Sequence, residues 1–551
     1  MLVVALLAAA LVTASASGGE DIYRRHCATC HHPQRLGHTA PPLIPDILGK
    51  TDAAALAGTI RNGLPATAMP SFKNRLRDEE IKAVADHLLT PASTTGWSME
   101  DIANSRKTFS LPPVTKLKAD PSNIILVVER GTGKIVLLDG DTLTKAGEFL
   151  AGAVHGGPKF TGSFDAVFSL ARDGIMVRYD TRRLARAAWA KVAVSSRGAA
   201  VTPDGNVAAV MNLLPQELLF LDGTLAPLKK IPLAHRPGGL YWHAGKKAFI
   251  CSFRDAPELW IIDPVTFAVE TVPLPVPFED FALLRNLVFG SKRGVPGIHV
   301  FDLDRRETVA TLPADGMPHL ASAAFYKEGG GLFVAVNFID KPLVSVYRLD
   351  TYAKAGDVPL PSPGYFIRTH RNTPYLWIDT AGDTLVLAEK RNLGNTRTLT
   401  PSPGKRAMHV EFTKEGRAAL VSVTETDGEV AAYDAVSLQK TGRLPFNKPM
   451  GKYNAMLKTY PDAALEDAQP QGKNIFQKYC MGCHHETIVA FGPPFAEIAA
   501  RRSEEEIRLH IATPKESAAA HNYKINSMPV IPLTAREMDD IVAYIVSFKE
   551  K

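Results

Sequence analysis

A short apolar run closed by a polar turn recurs through the middle of this chain, as "IVLLDGDTL", "MVRYDTRRL", "LLFLDGTLA", "LWIIDPVTF", "IHVFDLDRR", "VSVYRLDTY", "TLVLAEKRNL" and "VAAYDAVSL". The equivalent positions are 139, 180, 222, 263, 302, 348, 389 and 434, so successive units lie 41, 42, 41, 39, 46, 41 and 45 residues apart. Within most units a stretch such as "ARDG", "TPDG", "HAGKK", "KEGGG", "TAGD" or "TKEG" precedes another β-rich run, which is hairpin chemistry. Four short strands fit a unit of that length. Self-similarity at this period predicts a β-propeller of eight blades, whose radial repetition protects strand edges and leaves a central channel. A pair of β-sandwiches is the rival reading, but its turn spacing need not hold one long register.

The two ends of the chain carry a different signal. "HCATCHHPQRLG" begins at residue 26 and "YCMGCHH" at residue 479, and each contains Cys-x-x-Cys-His. This is the attachment signature of a c-type heme: two thiols in one helical turn reach the vinyl groups and the adjoining imidazole reaches iron. A zinc knuckle or a redox dithiol is the alternative, but neither motif has a second cysteine pair nearby. Cys27 and Cys30, then Cys480 and Cys483, become the attachment points, and His31 and His484 the proximal ligands. Of five cysteines only Cys251, in "KKAFICSF", is left over; it reads as a small core hydrophobe, and no disulfide framework exists.

A distal ligand belongs on the loop before each domain's last helix. "PATAMPSF" offers Met69 ahead of the helical "LRDEEIKAVADHLL", and "KINSMPVIPL" offers Met528 ahead of "TAREMDDIVAYIVSF", where Thr534 and Glu537 predict a capping box. Met-Pro stands at the matching place in both. His/Met ligation suits electron transfer. The neighbouring His32 and His485 read as surface residues.

The chain opens on "MLVVALLAAALVTASASGG", an apolar run ending in small residues at Ala14-Ser15-Ala16, which reads as a secretory signal peptide although no Lys or Arg precedes it. Export to the periplasm is expected, and no other stretch is long and apolar enough to span a bilayer. A net charge of +6 over 551 residues is too weak to argue for nucleic acid. The expected fold is therefore multidomain, an eight-bladed β-propeller flanked by two small all-α cytochrome c domains. Its boundaries are a signal peptide over 1–16, cytochrome c domains over 17–95 and 468–551, and the propeller over 115–457.

From "YRRHCATCHHPQRLG" to "KPMGKYNAMLKTY" the chain resembles the cytochrome cd1 family, a c-type domain followed by a propeller that holds heme d1. The matching stretches are "AVHGGPKFT", "PADGMPHL", "PSPGYFIRTHRNTPYLWID", "SPGKRAMHVEFTKEGRAAL" and "KPMGKYN". The family has two principal activities. Its nitrite reductases set two histidines over the d1 iron; here His235 in "LAHRPGG" matches the first loosely, and "VPFEDFALLRN" has no histidine for the second. The other branch oxidises a propionate of dihydro-heme d1 to an acrylate, and "HGGPKFT", "GMPHL", "AMHVEFT" and "GKYN" are closer to it.

Carried over residue by residue, the resemblance implies His155 as proximal and His319 as distal d1-iron ligand, His409 as catalytic base and Tyr453 as its partner, with Arg130, Lys159 and Arg197 on d1 carboxylates. A neutral imidazole suits proton removal from saturated carbon, and cations fix the propionate in reach. Taken alone, His409 reads as a core histidine, His370 as structural, and the three cations as surface residues. The implied cofactors are two covalent c hemes, with heme d1 or dihydro-heme d1 as ligand or substrate. The implied partners are a soluble periplasmic electron carrier and a nitrite reductase receiving heme d1; the family also works as homodimers, and no interface is legible. A non-catalytic heme d1 carrier, and a propeller that only docks partners, are the remaining readings. The C-terminal heme domain departs from both branches of the family.

Overall fold

The computed structural model describes residues 18–49, 51–64, 69–92, 96–465, 472–473, 475–520, 527–533 and 535–549. The expected signal peptide and Thr534 lie outside the described residues. The chain forms two compact units, divided between Pro461 and Asp462.

The first unit contains eight antiparallel sheets. Seven take four consecutive strands from one stretch of chain; the remaining sheet is completed from afar, its order being Pro449–Asn454, Ile124–Glu129, Lys134–Asp139 and Lys145–Leu150. The last propeller strand is thereby the inner strand of the first blade, and ring closure is a hydrogen-bonded ladder in which Tyr453 faces Leu126 and Asn454 faces Ile125. Between the eighth and first blades, Ile125, Val127, Val136 and Leu138 pack on Leu420, Val430, Ala432 and Phe446. Full burial of each of the larger of these side chains contributes about 1.5–3 kcal/mol, so the seam is held by apolar area as well as by the ladder.

Each of the eight recurrent positions ends, or directly follows, the third strand of a blade. At most of them an aspartate accepts backbone N–H groups of the following turn: Asp222 from Thr224 and Ala226, Asp263 from Val265 and Thr266, Asp434 from Val436 and Ser437. A residue with positive φ then turns the chain into the fourth strand, as at Leu143, Leu184, Leu225, Phe267, Arg306 and Leu438. The sequence period is the period of this Asx turn. Cys251 is completely buried in the strand Ala248–Phe253.

Ahead of the propeller lie helices at residues 18–26, Ala28–His31, Pro45–Leu48, Ala53–Asn62, Asp78–Leu88 and Met99–Ser105. Ile22, Tyr23, Leu56, Ile60, Ile81, Val84 and Leu88 form their core. This helical region seats against the propeller within the same unit, where Leu36 and Ile44 pack with Leu214. Lys107–Thr108 then adds a fifth strand to the outside of the second blade, at Trp189 and Ala188.

The second unit is helical, with Phe495–Arg501, Glu504–Ala512, Pro514–Ala520 and Ala535–Val546 around Phe476, Phe495, Ile507, Ile541 and Ile545. Ser503 and Glu506 make a reciprocal cap on the helix Glu504–Ala512. No helix among the described residues is long and apolar enough to cross a membrane.

Candidate active site

The two Cys-x-x-Cys-His segments share one local device. In the first, the Nδ1 of His31 is 2.8 Å from the Pro41 carbonyl; in the second, the Nδ1 of His484 is 2.7 Å from the Pro493 carbonyl. A carbonyl can only accept, so Nδ1 carries the hydrogen and the Nε2 lone pair is left for a metal. Cys27, Cys30, Cys480 and Cys483 are free thiols, and each motif's backbone is helical enough for the histidine N–H to bond the first cysteine's carbonyl. Met69 packs on the same apolar cluster as Cys27, and Met528 on that of Cys480. These donor sets fit c-type heme. His32 accepts the Gln34 N–H, and His485 those of Thr487 and Ile488, so both serve their own turns.

The propeller residues singled out by sequence converge from several blades. His155 precedes two glycines with φ of +77° and +69°, and its Nδ1 lies 2.6 Å from the Arg197 carbonyl, so this ring too presents Nε2. His319 precedes a single 3-10 turn, Leu320–Ser322, and its Nδ1 is 2.7 Å from the Tyr365 carbonyl. Both geometries suit an imidazole that ligates iron. Burial, then Arg172, hold the His155 imidazole well below its ordinary pKa, so it is neutral.

His409 belongs to the inner strand of the eighth blade, Ala407–Phe412. Met408 pairs with Ser422 and Val410 with Val421, so His409 is the extra residue of a β-bulge, with φ of +52°. Bulges re-aim side chains, and a non-glycine residue in this conformation persists only where its surroundings over-determine it. Here they do: its N–H donates to Asp379 Oδ2 at 2.9 Å, its carbonyl accepts from the Lys452 ammonium, and its Nδ1 accepts the Lys452 N–H at 3.1 Å. That last bond leaves the neutral ring with its hydrogen on Nε2. Burial and the cations Lys452 and Arg368 push the His409 pKa far down.

The Tyr453 ring stands 5.3 Å from that of His409 at 71°, and the Phe366 ring packs on His409 at 4.6 Å. Burial raises the Tyr453 phenol to about 12. The Lys458 ammonium sits 5.4 Å from the Tyr453 ring centre and is lowered to about 8 by burial. A Cβ on Gly157 would come within 2.8 Å of Tyr453 ring carbons, which brings the His155 loop against the His409–Tyr453 pair.

The three expected carboxylate anchors differ. Lys159 turns its ammonium onto the Gly156 carbonyl at 2.9 Å. Arg197 spends Nε on the Gly238 carbonyl, and its own carbonyl aims His155. Arg130 is exposed, and its charge acts to lower both His155 and Tyr453. Sequence reasoning missed Arg172, whose charge adds to burial in lowering both the His31 and the His155 imidazole. His38, 3.8 Å from Asp173, sits at the same junction. An isolated arginine in a hairpin carries no sequence signal of such a role. His370 is buried with Nε2 on the Lys414 carbonyl, a structural histidine, and His235 is half-exposed beside Asp255.

Cationic groups around imidazoles with open Nε2 atoms fit an iron macrocycle bearing carboxylates. Comparison with known proteins agrees. The family model "Cytochrome D1 heme domain" matches residues 119–271 and 288–458, "Cytochrome C oxidase, cbb3-type, subunit III" matches 14–88 and "Cytochrome c" matches 470–549. The dihydro-heme d1 dehydrogenase of Pseudomonas aeruginosa is 36% identical over 477 residues, covering 82% of this chain and 96% of that protein. Protein NirF of the same organism is 24% identical over 367 residues, covering 59% of this chain and 89% of that protein. The solved structure of dihydro-heme d1 dehydrogenase NirN in complex with DHE superposes with a TM-score of 0.68 at 35% identity, covering 80% of this chain and all of that one. On both the propeller match and the full-length similarity, the chain belongs to the cytochrome D1 heme domain family, in the group of the dihydro-heme d1 dehydrogenases.

Proposed function

We propose that the chain oxidises the propionate side chain of dihydro-heme d1 to an acrylate and passes the electrons to c-type hemes bound at its two ends. The observation that carries this reading is the pairing of buried His409 with half-buried Tyr453, 5.3 Å between ring centres, with the His155 loop packed against Tyr453 at Gly157. Two small all-α cytochrome c domains flank the propeller in this reading, each with one covalent heme, and the protein works in the periplasm with a soluble electron carrier. The product then goes to a nitrite reductase.

Turning –CH2–CH2–COO⁻ into –CH=CH–COO⁻ removes two protons and two electrons. His155 and His319 would hold the iron of the bound macrocycle, and Arg130, Lys159 and Arg197 would meet its carboxylates once Lys159 and Arg197 exchange their backbone-carbonyl contacts for it, which would fix the propionate in reach. His409 is neutral because burial disfavours its cation, so it can receive one of the two protons, while the other leaves to water. In the resting site its Nε2 already bears hydrogen and its Nδ1 is bonded to Lys452, so proton uptake requires the ring to exchange that contact for the substrate. Tyr453, held protonated by burial, stands next to the ring to relay or steer the proton. When bound, the c hemes supply one-electron acceptors; the second unit makes a chain with two such sites, matched to the two electrons of one turnover.

The test is anaerobic mixing of the oxidised, heme-loaded chain with dihydro-heme d1, following the visible spectrum, with His409→Ala in parallel. Reduction of the c-heme bands as the macrocycle band moves to that of the acrylate form supports the reading, with turnover in the variant lower by roughly 10²–10⁴-fold while binding persists. Binding without spectral conversion would make the protein a heme d1 carrier.

A further inference from the structure

Asp379 ends the second strand of the seventh blade, Tyr375–Asp379, and is completely buried. Its two oxygens serve different neighbours. Oδ1 accepts the N–H groups of Tyr365 at 2.7 Å and Phe366 at 2.9 Å, and Oδ2 accepts the N–H of His409 at 2.9 Å. The Tyr365 whose N–H is held in this way also offers the carbonyl that orients His319 Nδ1 at 2.7 Å. Phe366, held beside it, packs at 5.7 Å from the His319 ring and 4.6 Å from the His409 ring.

We propose that Asp379 is a shared positioning residue, one carboxylate that sets the orientation of both His319 and His409. A bulge leaves one N–H outside the strand ladder, and a buried N–H needs an acceptor. At His409 that acceptor is Oδ2, and it holds the backbone at a positive φ that a histidine does not favour on its own. The other oxygen anchors the 365–366 turn, and with it the carbonyl that decides which nitrogen of His319 is free. A group that only accepts, through two oxygens, is what these three donors require. Asparagine would turn an NH2 toward a donor, and alanine would leave all three unpaired. The iron ligand and the proton acceptor are thereby locked to one another through a residue that touches neither ring.

This inference rests on the roles given to His319 and His409 above. Its test uses the full, c-heme-loaded chain with Asp379→Asn, compared with His319→Ala and His409→Ala. Two quantities are read: the absorption spectrum of bound dihydro-heme d1, which reports iron ligation, and the rate of its oxidation. We expect Asp379→Asn to keep the c-heme spectrum, to shift the bound-ligand spectrum toward that of His319→Ala, and to lower turnover about 100-fold. A change in only one of the two, or in neither, overturns the proposal. Should Asp379→Asn not accumulate folded, Asp379→Glu, which keeps an acceptor-only carboxylate one methylene further out, carries the same joint reading. The unaltered chain is assayed first; if it binds the compound without oxidising it, the proposed function fails on its own, and the spectral arm must still show Asp379→Asn matching His319→Ala.

Discussion

Gly157 and Tyr453 are fitted to each other: a Cβ at residue 157 would lie 2.8 Å from two ring carbons of Tyr453 and 3.1 Å from its hydroxyl. The two residues come from opposite ends of the propeller sequence, and the missing side chain of one makes room for the ring of the other. Gly157 also has φ of +69°, so alanine there meets both a clash and a left-handed backbone, the second costing about 1–2 kcal/mol. Gly157→Ala should leave the c-heme spectrum unchanged and lower turnover on the order of 100-fold by moving Tyr453. Steady-state kinetics beside a thermal melt checks this; unchanged turnover would mean that the phenol's position is immaterial.

The hydrogen of the neutral His409 ring is expected on Nε2, because Nδ1 accepts the Lys452 N–H at 3.1 Å. Nitrogen-15 spectra of histidine-labelled protein, with His409→Gln to assign the signals, should show an unprotonated Nδ1 before substrate is added. A signal from the Nδ1-protonated ring would instead leave Nε2 ready as a base without any rearrangement.

Lys452 makes stability depend on pH in an unusual direction. It is fully buried, its ammonium donates to the His409 carbonyl and to Ser422, and burial lowers its pKa to about 7. Below about pH 7 both folded and unfolded chains carry its proton, and the cost of burying the charge is present in full. Between about 7 and the ordinary lysine value near 10.4, the unfolded chain binds a proton that the folded chain has released, so folding stability rises with pH. The slope from this one group is at most about 1.4 kcal/mol per pH unit. Urea unfolding at pH 7 and 9 should show a larger rise in the wild type than in Lys452→Met, which keeps the part that Lys458, lowered to about 8, contributes in the same window. His155 and His409, both held neutral by burial, act on the acid side, where stability falls as pH drops below about 6.5.

Two heme equivalents per chain are expected in a pyridine hemochrome assay, and one in a variant carrying Cys480→Ser and Cys483→Ser. The geometric basis is that His484 repeats at Pro493 the contact that His31 makes at Pro41. In a single anaerobic turnover the intact chain should show both c hemes reduced per substrate oxidised. The variant should show one reduced heme and need an added acceptor to finish. Two reduced hemes in the variant's place, or one in the intact chain, would refute the pairing of sites with electrons.

What could be read from the chain alone was whatever is encoded within a few residues. The blade period is legible because each third strand ends in a side chain that caps its own turn, a contact spanning two to four positions, as at Asp222 and Asp434. Heme attachment is legible because Cys-x-x-Cys-His is one helical turn. His155, His319, His409 and Tyr453 came only through resemblance, since none has a local signature. Tertiary structure decided the rest. The bulge at His409 exists only relative to the register of the neighbouring strand, and its φ is held by Asp379 from another blade. Lys159 and Arg197 spend donors on backbone carbonyls that no spacing rule anticipates, and the charge of Arg172 acts on both His31 and His155 only once the helical region is seated on the ring. A propeller builds its channel from one inner strand per blade. The groups that meet there are some thirty residues or more apart in sequence, and those from the two ends of the propeller, such as Gly157 and Tyr453, become neighbours when the ladder between Pro449–Asn454 and Ile124–Glu129 closes the circle.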